Sequence, residues 1–166
     1  MIPPYVERNF VKKELVNWVD FNYLLKNHPS EHTDIIKKHN YIFNTSKEYK
    51  KEFLSIKETL THKIKDIQNA KTWDVHIYVS IDNLRSFPLH FDDANNVIIQ
   101  SEGKSRWVVP HYFDVILEPG DMVWIPKFIT HCCFPSTKRI SLSFPFWDDD
   151  LLPDQVGMIN HNDPTF

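Results

Sequence analysis

The sequence predicts a mainly β fold, a sandwich or barrel, preceded by helices. Three observations carry this expectation. From about residue 71 the hydrophobic period drops to two: Trp73, Val75, Ile77 and Val79 alternate with Asp74, His76, Tyr78 and Ser80. Further short strand-like runs follow at 89–92, 96–101, 106–109, 114–117, 122–125, 131–134 and 139–146. Turn signals separate several of them, at 92–95, 102–105, 119–121 and 135–137.

N-terminal to residue 71 the period is helical. Residues 11–25 place Val11, Leu15, Val16, Trp18, Val19 and Leu24 at helical spacing, with Pro29 as a stop soon after. Tyr41-Ile42-Phe43 is a short apolar run, a strand or an anchor. A longer helix is expected from a cap at Asn44, Thr45 or Ser46 to about Asn69, because those side chains can accept from unpartnered first-turn amides. Its stripe is Tyr49, Phe53, Ile56, Leu60, Ile64 and Ile67, and most of its lysines lie off that stripe, as on a solvated face. The expected organisation is one domain: a helical support region at 1–70, a β core at 71–147 and an irregular tail at 148–166.

Composition narrows the function. A formal net charge of -3 gives no field for nucleic acid, which argues against that partner. Residues 1–70 hold 12 basic and 9 acidic side chains, and the remainder holds 7 and 13, so a carboxylate ligand in the β core needs a specific cation. No apolar run is long enough to cross a bilayer, and the first residues lack a signal-peptide pattern, so a soluble cytoplasmic protein is expected. Cys132 and Cys133 are adjacent and point to opposite faces of a strand, which favours two thiols over a strained vicinal disulfide.

The chemistry concentrates in 89–143. His90 and Asp92 are two apart on a strand-like run and so share a face. A second run turns at Pro119-Gly120-Asp121 and returns through Ile125-Pro126 to His131. Two imidazoles and one carboxylate on one face of an ion suit non-haem Fe(II) and leave coordination positions open.

The stretch from His90-Phe91-Asp92 through Asn96, Gln100 and Gly103 to Arg106-Trp107 resembles the Jumonji-C and cupin-type 2-oxoglutarate oxygenases, as does the later Pro119-Gly120-Asp121…Pro126…His131. The resemblance covers roughly residues 73–147. It implies a double-stranded β-helix (a cupin-like jelly roll) with its site in the mouth. It further implies Fe(II) on His90, Asp92 and His131, with 2-oxoglutarate and O2 as co-substrates, and Asn96 near the metal-binding carboxylate. Three departures are visible. Ser105 stands where related hydroxylases carry Lys or Arg, Phe87 where a hydroxyl residue often precedes the first ligand, and Phe128 where a glycine is expected. Arg139-Ile140-Ser141 matches the Arg-x-Ser of another branch, so Arg139 is the expected anchor for the far carboxylate, with Ser141 assisting. The expected function is hydroxylation of a protein side chain or small molecule. A metal-binding cupin that does not use 2-oxoglutarate (an isomerase or dioxygenase) and a non-catalytic cupin module stay open, as does a homodimer through the N-terminal helices.

Overall fold

The structure, a computed structural model, describes residues 1–12, 14–27, 32–35, 40–44, 51–82 and 88–148. Pro29, Thr45, Ser46, Tyr49, Phe87 and the tail beyond Asp148, which figure in the sequence reading, lie outside the described residues.

Eleven strands are described: β1 Tyr5–Glu7, β2 His32–Ile35, β3 Asn40–Asn44, β4 Thr72–Trp73, β5 His76–Ser80, β6 Asn95–Glu102, β7 Ser105–Val109, β8 Phe113–Leu117, β9 Met122–Ile125, β10 Cys132–Pro135 and β11 Arg139–Trp147. All pairings are antiparallel. The major sheet runs β1-β9-β6-β11-β5-β3-β2, with β4 also on β11, and the minor sheet runs β10-β7-β8. Together they form a two-layered jelly roll, a sandwich or barrel as the strand spacing predicts and the double-stranded β-helix that the resemblance implies.

Both faces of the major sheet are covered, and they differ in chemistry. The outer face carries Ile77, Val79, Val97, Ile99, Leu142 and Phe144, all buried against the N-terminal elements. The inner face carries Ile98, Val123 and Ile125, which pack on Trp107, Val109 and Leu117 of the minor sheet. Polar residues share this inner face, so every position of β11 is buried although three of its residues are serine or arginine at alternate places. The period of two in 73–79 therefore separates helix-facing from barrel-facing side chains, rather than core from solvent.

The N-terminal region departs from a purely helical support. It contributes β1, β2 and β3 to the major sheet, because Tyr41-Ile42-Phe43 pairs with Val79-Tyr78-Ile77 and extends the sheet edge. Helix α1 is Trp18–Asn27, not 11–25. A capping box sets its start: Asn17 Oδ1 accepts from the amides of Val19 (2.8 Å) and Asp20 (3.1 Å), and Asp20 Oδ2 accepts from that of Asn17 (2.8 Å). The residues before it are held on the sheet, where Ser101 Oγ accepts from the amides of Leu15 and Val16 and donates to Val16 O. Ser101 is the extra residue where the β6–β11 register shifts, so the bulge itself is the attachment point.

The second helix is also shorter than expected. Asn44 ends β3 opposite His76, and α2 is Leu54–Lys63 between 3₁₀ turns Lys51–Phe53 and Lys65–Ile67. Ile64 is extended (φ -105°, ψ 103°), which breaks the helix where a continuous one would carry the chain past the sheet. Leu60, Ile64 and Ile67 all reach zero exposure as a result.

Gly120 at φ +93° fixes the remaining N-terminal contact. A Cβ there would lie 2.6 Å from Val11 O, and the Val11 amide donates to Gly120 O. The neighbouring Asp121 carboxylate accepts from the amides of Asn9 and Glu118 and pairs with Arg8. Pro119-Gly120-Asp121 is thus a clamp on the N-terminal segment.

Phe144 is fully buried and meets Phe53 edge-on at 6.0 Å between ring centroids, joining the sheet to the helical layer. Phe144→Ala is expected to destabilise the fold by about 3–5 kcal/mol, read as a lower urea midpoint with an unchanged slope. A loss under about 1 kcal/mol would mean that the helical layer is not held through this contact.

Candidate metal centre

His90 lies outside any regular strand. Instead of a strand at 89–92, the described residues there hold one isolated antiparallel bridge, between His90 and His131. Pro88 has no amide to extend the pairing, and the bridge is made by two backbone hydrogen bonds: His90 N to His131 O (3.0 Å) and His131 N to His90 O (2.7 Å). Asp92 is held by its backbone too, because the Phe128 amide donates to Asp92 O at 2.8 Å. Phe128 does so at φ +65°, a left-handed conformation that explains why glycine is expected there. Its ring is largely exposed and meets Phe91 edge-on at 6.1 Å.

These constraints bring the two histidines and the aspartate together. One ligand atom from each of His90, Asp92 and His131 lies within 4.8 Å of the others. His90 Nε2 is 3.7 Å from Asp92 Oδ1, His131 Nε2 is 3.5 Å from Asp92 Oδ2, and the imidazole centroids are 4.4 Å apart. Adjacent ligands on an ion with bonds of about 2.1 Å sit about 3 Å apart, so small adjustments close the set on one ion.

The protonation pattern fits a cation as well. His90 Nδ1 lies 2.8 Å from Pro88 O, and His131 Nδ1 lies 2.9 Å from Ile129 O. A carbonyl can only accept, so both rings carry hydrogen on Nδ1 and present Nε2, the nitrogen left to ligate, on the side of the carboxylate. Burial pushes the His131 pKa down; the Asp92 charge opposes this and His90 adds to it. The neutral, ligating form of His131 therefore persists below its ordinary range. Asn96 Nδ2 donates to Asp92 Oδ2 at 2.6 Å and its Oδ1 accepts from Ser143 Oγ, so the carboxylate is aimed by a partner that is itself held.

Arg139 and Ser141 lie deeper on the same inner face, both essentially unexposed. Arg139 Nη1 donates to Ser141 Oγ at 2.7 Å. Asn96 stands with Asp92 rather than with this pair. Lys104 and Arg106, which flank Ser105, sit outside and pair with Glu118 and Asp114. Ser105 itself is fully buried.

Three further residues shape this interior beyond the expected ligands and anchor. Tyr78 lies opposite Ser141 across β5–β11, and its phenol is pushed up by burial and by Asp92, with Arg139 opposing, so it stays protonated. Trp107 stacks on His131 at 6.0 Å and 26°. Gln100, with zero exposure, accepts from Ser141 Oγ (2.9 Å) and Ser105 Oγ (2.6 Å). The signal for Gln100 was available: a polar residue ending the apolar run Val97-Ile98-Ile99, in phase with Asn96. Both cysteines are buried thiols, and Cys133 joins the inner core, where burial pushes its pKa up.

An antiparallel jelly roll carrying a His-x-Asp…His cluster is the arrangement that a cupin-type metal site would use. Comparison with known proteins agrees with it. The JmjC domain family matches residues 53–112, which include His90 and Asp92 and stop before His131. A bifunctional lysine-specific demethylase and histidyl-hydroxylase NO66 of Drosophila mojavensis is 28% identical over 91 residues, covering 40% of this chain and 10% of the relative. Its Drosophila willistoni counterpart is 25% identical, covering 40% and 12%. The chain therefore spans about a tenth of the curated relatives it matches. Among solved structures, the ribosomal oxygenase YcfD of Escherichia coli, in complex with cobalt and 2-oxoglutarate, superposes with a TM-score of 0.65 at 17% identity, covering 87% of this chain and 48% of that one. A Pseudomonas putida prolyl-4-hydroxylase gives a TM-score of 0.65 at 13% identity, covering 88% and 92%. These likenesses carry the fold, and the family match carries the resemblance to Jumonji-C proteins.

Asn96→Ala is expected to weaken Co(II) binding about 10- to 100-fold, measured by titration of the metal-free protein. Unchanged affinity would show that the Asp92 carboxylate is aimed by something else.

Proposed function

We propose that this chain carries an Fe(II)- and 2-oxoglutarate-dependent oxygenase site that hydroxylates a protein side chain or small molecule. The observation that carries the reading is the convergence of His90, Asp92 and His131, with both imidazoles fixed as Nδ1–H tautomers. The donor set of two neutral nitrogens and one carboxylate fits Fe(II) and leaves half of an octahedral shell to other ligands. Bound there, Fe(II) would supply the oxidising chemistry that couples decarboxylation of 2-oxoglutarate by O2 to hydroxylation of a C–H bond.

The chain's own residues do the rest. Asn96 holds the Asp92 carboxylate toward the ion. Arg139 is the buried cation on the inner face, suited to a two-point pair with the far carboxylate of the co-substrate, and Ser141 holds its guanidinium. Tyr78, still protonated, stands on the same inner face opposite Ser141. Ile98, Val123, Ile125 and Trp107 keep the inner wall apolar and exclude water.

A protein substrate is favoured over a small molecule by the relatives, which include a histidyl-hydroxylase, a ribosomal oxygenase and a prolyl hydroxylase by name. Among the described residues no helix is long and apolar enough to cross a membrane. Two buried thiols suit a reducing, cytoplasmic setting. Helix α1 exposes Val19 and Tyr23, the apolar surface that a homodimer through the N-terminal helices would use.

Anaerobic addition of Fe(II) and 2-oxoglutarate should produce a weak visible charge-transfer band only when both are present, and air should then yield succinate. His131→Ala should lower succinate formation at least about 100-fold. Metal binding with no band would favour a cupin that does not use 2-oxoglutarate, and absence of metal binding would favour a non-catalytic module.

A further inference from the structure

Gln100 has no exposed surface and uses both ends of its amide. Nε2 donates to Glu102 O at 2.7 Å and to Ile140 O at 3.4 Å, two carbonyls that cannot donate, so the oxygen end is fixed as well. That oxygen accepts from Ser105 Oγ at 2.6 Å and from Ser141 Oγ at 2.9 Å. Ser141 Oγ in turn accepts from Arg139 Nη1 at 2.7 Å, and Ser105 Oγ accepts from Trp107 Nε1 at 3.0 Å.

Guanidinium and indole nitrogens are donors only, which removes any choice of direction. Each serine accepts on one side and must send its own proton to Gln100. Five side chains therefore have one proton arrangement, with donors at both ends and a single acceptor in the middle. One end is the Trp107 ring stacked on His131, and the other is the Arg139 guanidinium. The backbone of Gln100 is pinned as well, by its amide on Asp121 O and its carbonyl under the Gly120 amide, both at 2.9 Å. Ser101, the next residue, holds the N-terminal segment. Neither the amide nor the strand can slide to suit another arrangement.

We propose that Gln100 is a positioning residue that, through Ser141, aims Arg139 at the far carboxylate of a 2-oxo dicarboxylic acid and so sets the preference for that acid over a 2-oxo acid with one carboxylate. The inference rests on the oxygenase reading above and deepens it. It also gives Ser105 a use: the hydroxyl that stands in place of a basic residue joins the row that orients the basic residue on β11.

The test is binding of 2-oxoglutarate and of pyruvate, which lacks the far carboxylate, to the Mn(II)-loaded full chain by anaerobic calorimetry. Wild type should bind 2-oxoglutarate more tightly than pyruvate. Gln100→Leu should weaken 2-oxoglutarate about tenfold while pyruvate and Mn(II) stay within about twofold. Because Gln100→Leu leaves two buried hydroxyls without their acceptor, Gln100→Glu is measured beside it. That variant keeps both acceptor contacts, loses the Nε2 donor and draws the Arg139 charge to itself, so the preference should fall again. A folded variant of either kind that keeps the wild-type ratio of the two affinities overturns the role of Gln100 and leaves the oxygenase reading standing. Wild type that binds neither acid overturns that reading, and this inference with it.

Discussion

A single pair of backbone hydrogen bonds, exchanged between His90 and His131, holds the candidate site together. The two histidines are forty-one residues apart, and no regular strand carries the first of them. The bridge places their rings 4.4 Å apart, and each ring is then turned by a carbonyl two residues upstream. With the tautomers set this way, the Nε2 lone pairs have a direction before any ligand arrives. Asp92, anchored through Phe128 and Asn96, completes the cluster. Such advance orientation reduces the ordering that binding would otherwise require.

The chemistry of the major sheet makes this arrangement sustainable. A polar row buried inside a β sandwich is costly unless every member is satisfied. Here the outer face supplies the apolar core together with the helices, so the inner face can give up part of its area to Asn96, Gln100, Arg139, Ser141 and Ser143. The polar members hydrogen-bond to one another: Arg139 to Ser141, Ser141 to Gln100, and Ser143 to Asn96. The N-terminal segment matters for the same reason: Gly120 and Asp121 clamp it, and Ser101 fastens it to the bulge beside Gln100. Burying the sheet's second face is what turns a half-exposed sheet into one with a protected interior.

Much of this was legible in the residues. The change of period after residue 71, the turn at 119–121 and the triad could be read because each depends on local spacing or on residue type. The missed features depend on partners distant in sequence. Asn17-x-x-Asp20 is a capping box whose pattern was present, yet the apolar residues at 11–16 masked it, because they pack on the sheet without being helical. Ile64 interrupts the second helix for the sake of packing, which outweighs its helical neighbours. Leu89 to Asp92 reads as a strand by composition, but its only described pairing is one bridge. Ser105 looked like a missing cation, and only the fold shows that Gln100 and Trp107 occupy its hydroxyl.

The most direct test is crystallographic: crystals soaked anaerobically in Fe(II), with anomalous difference maps collected on both sides of the iron edge. The account predicts one peak about 2.0–2.2 Å from Nε2 of His90, Nε2 of His131 and a carboxylate oxygen of Asp92. A fully loaded crystal whose iron lies elsewhere, or touches His90 and His131 through Nδ1, would contradict it.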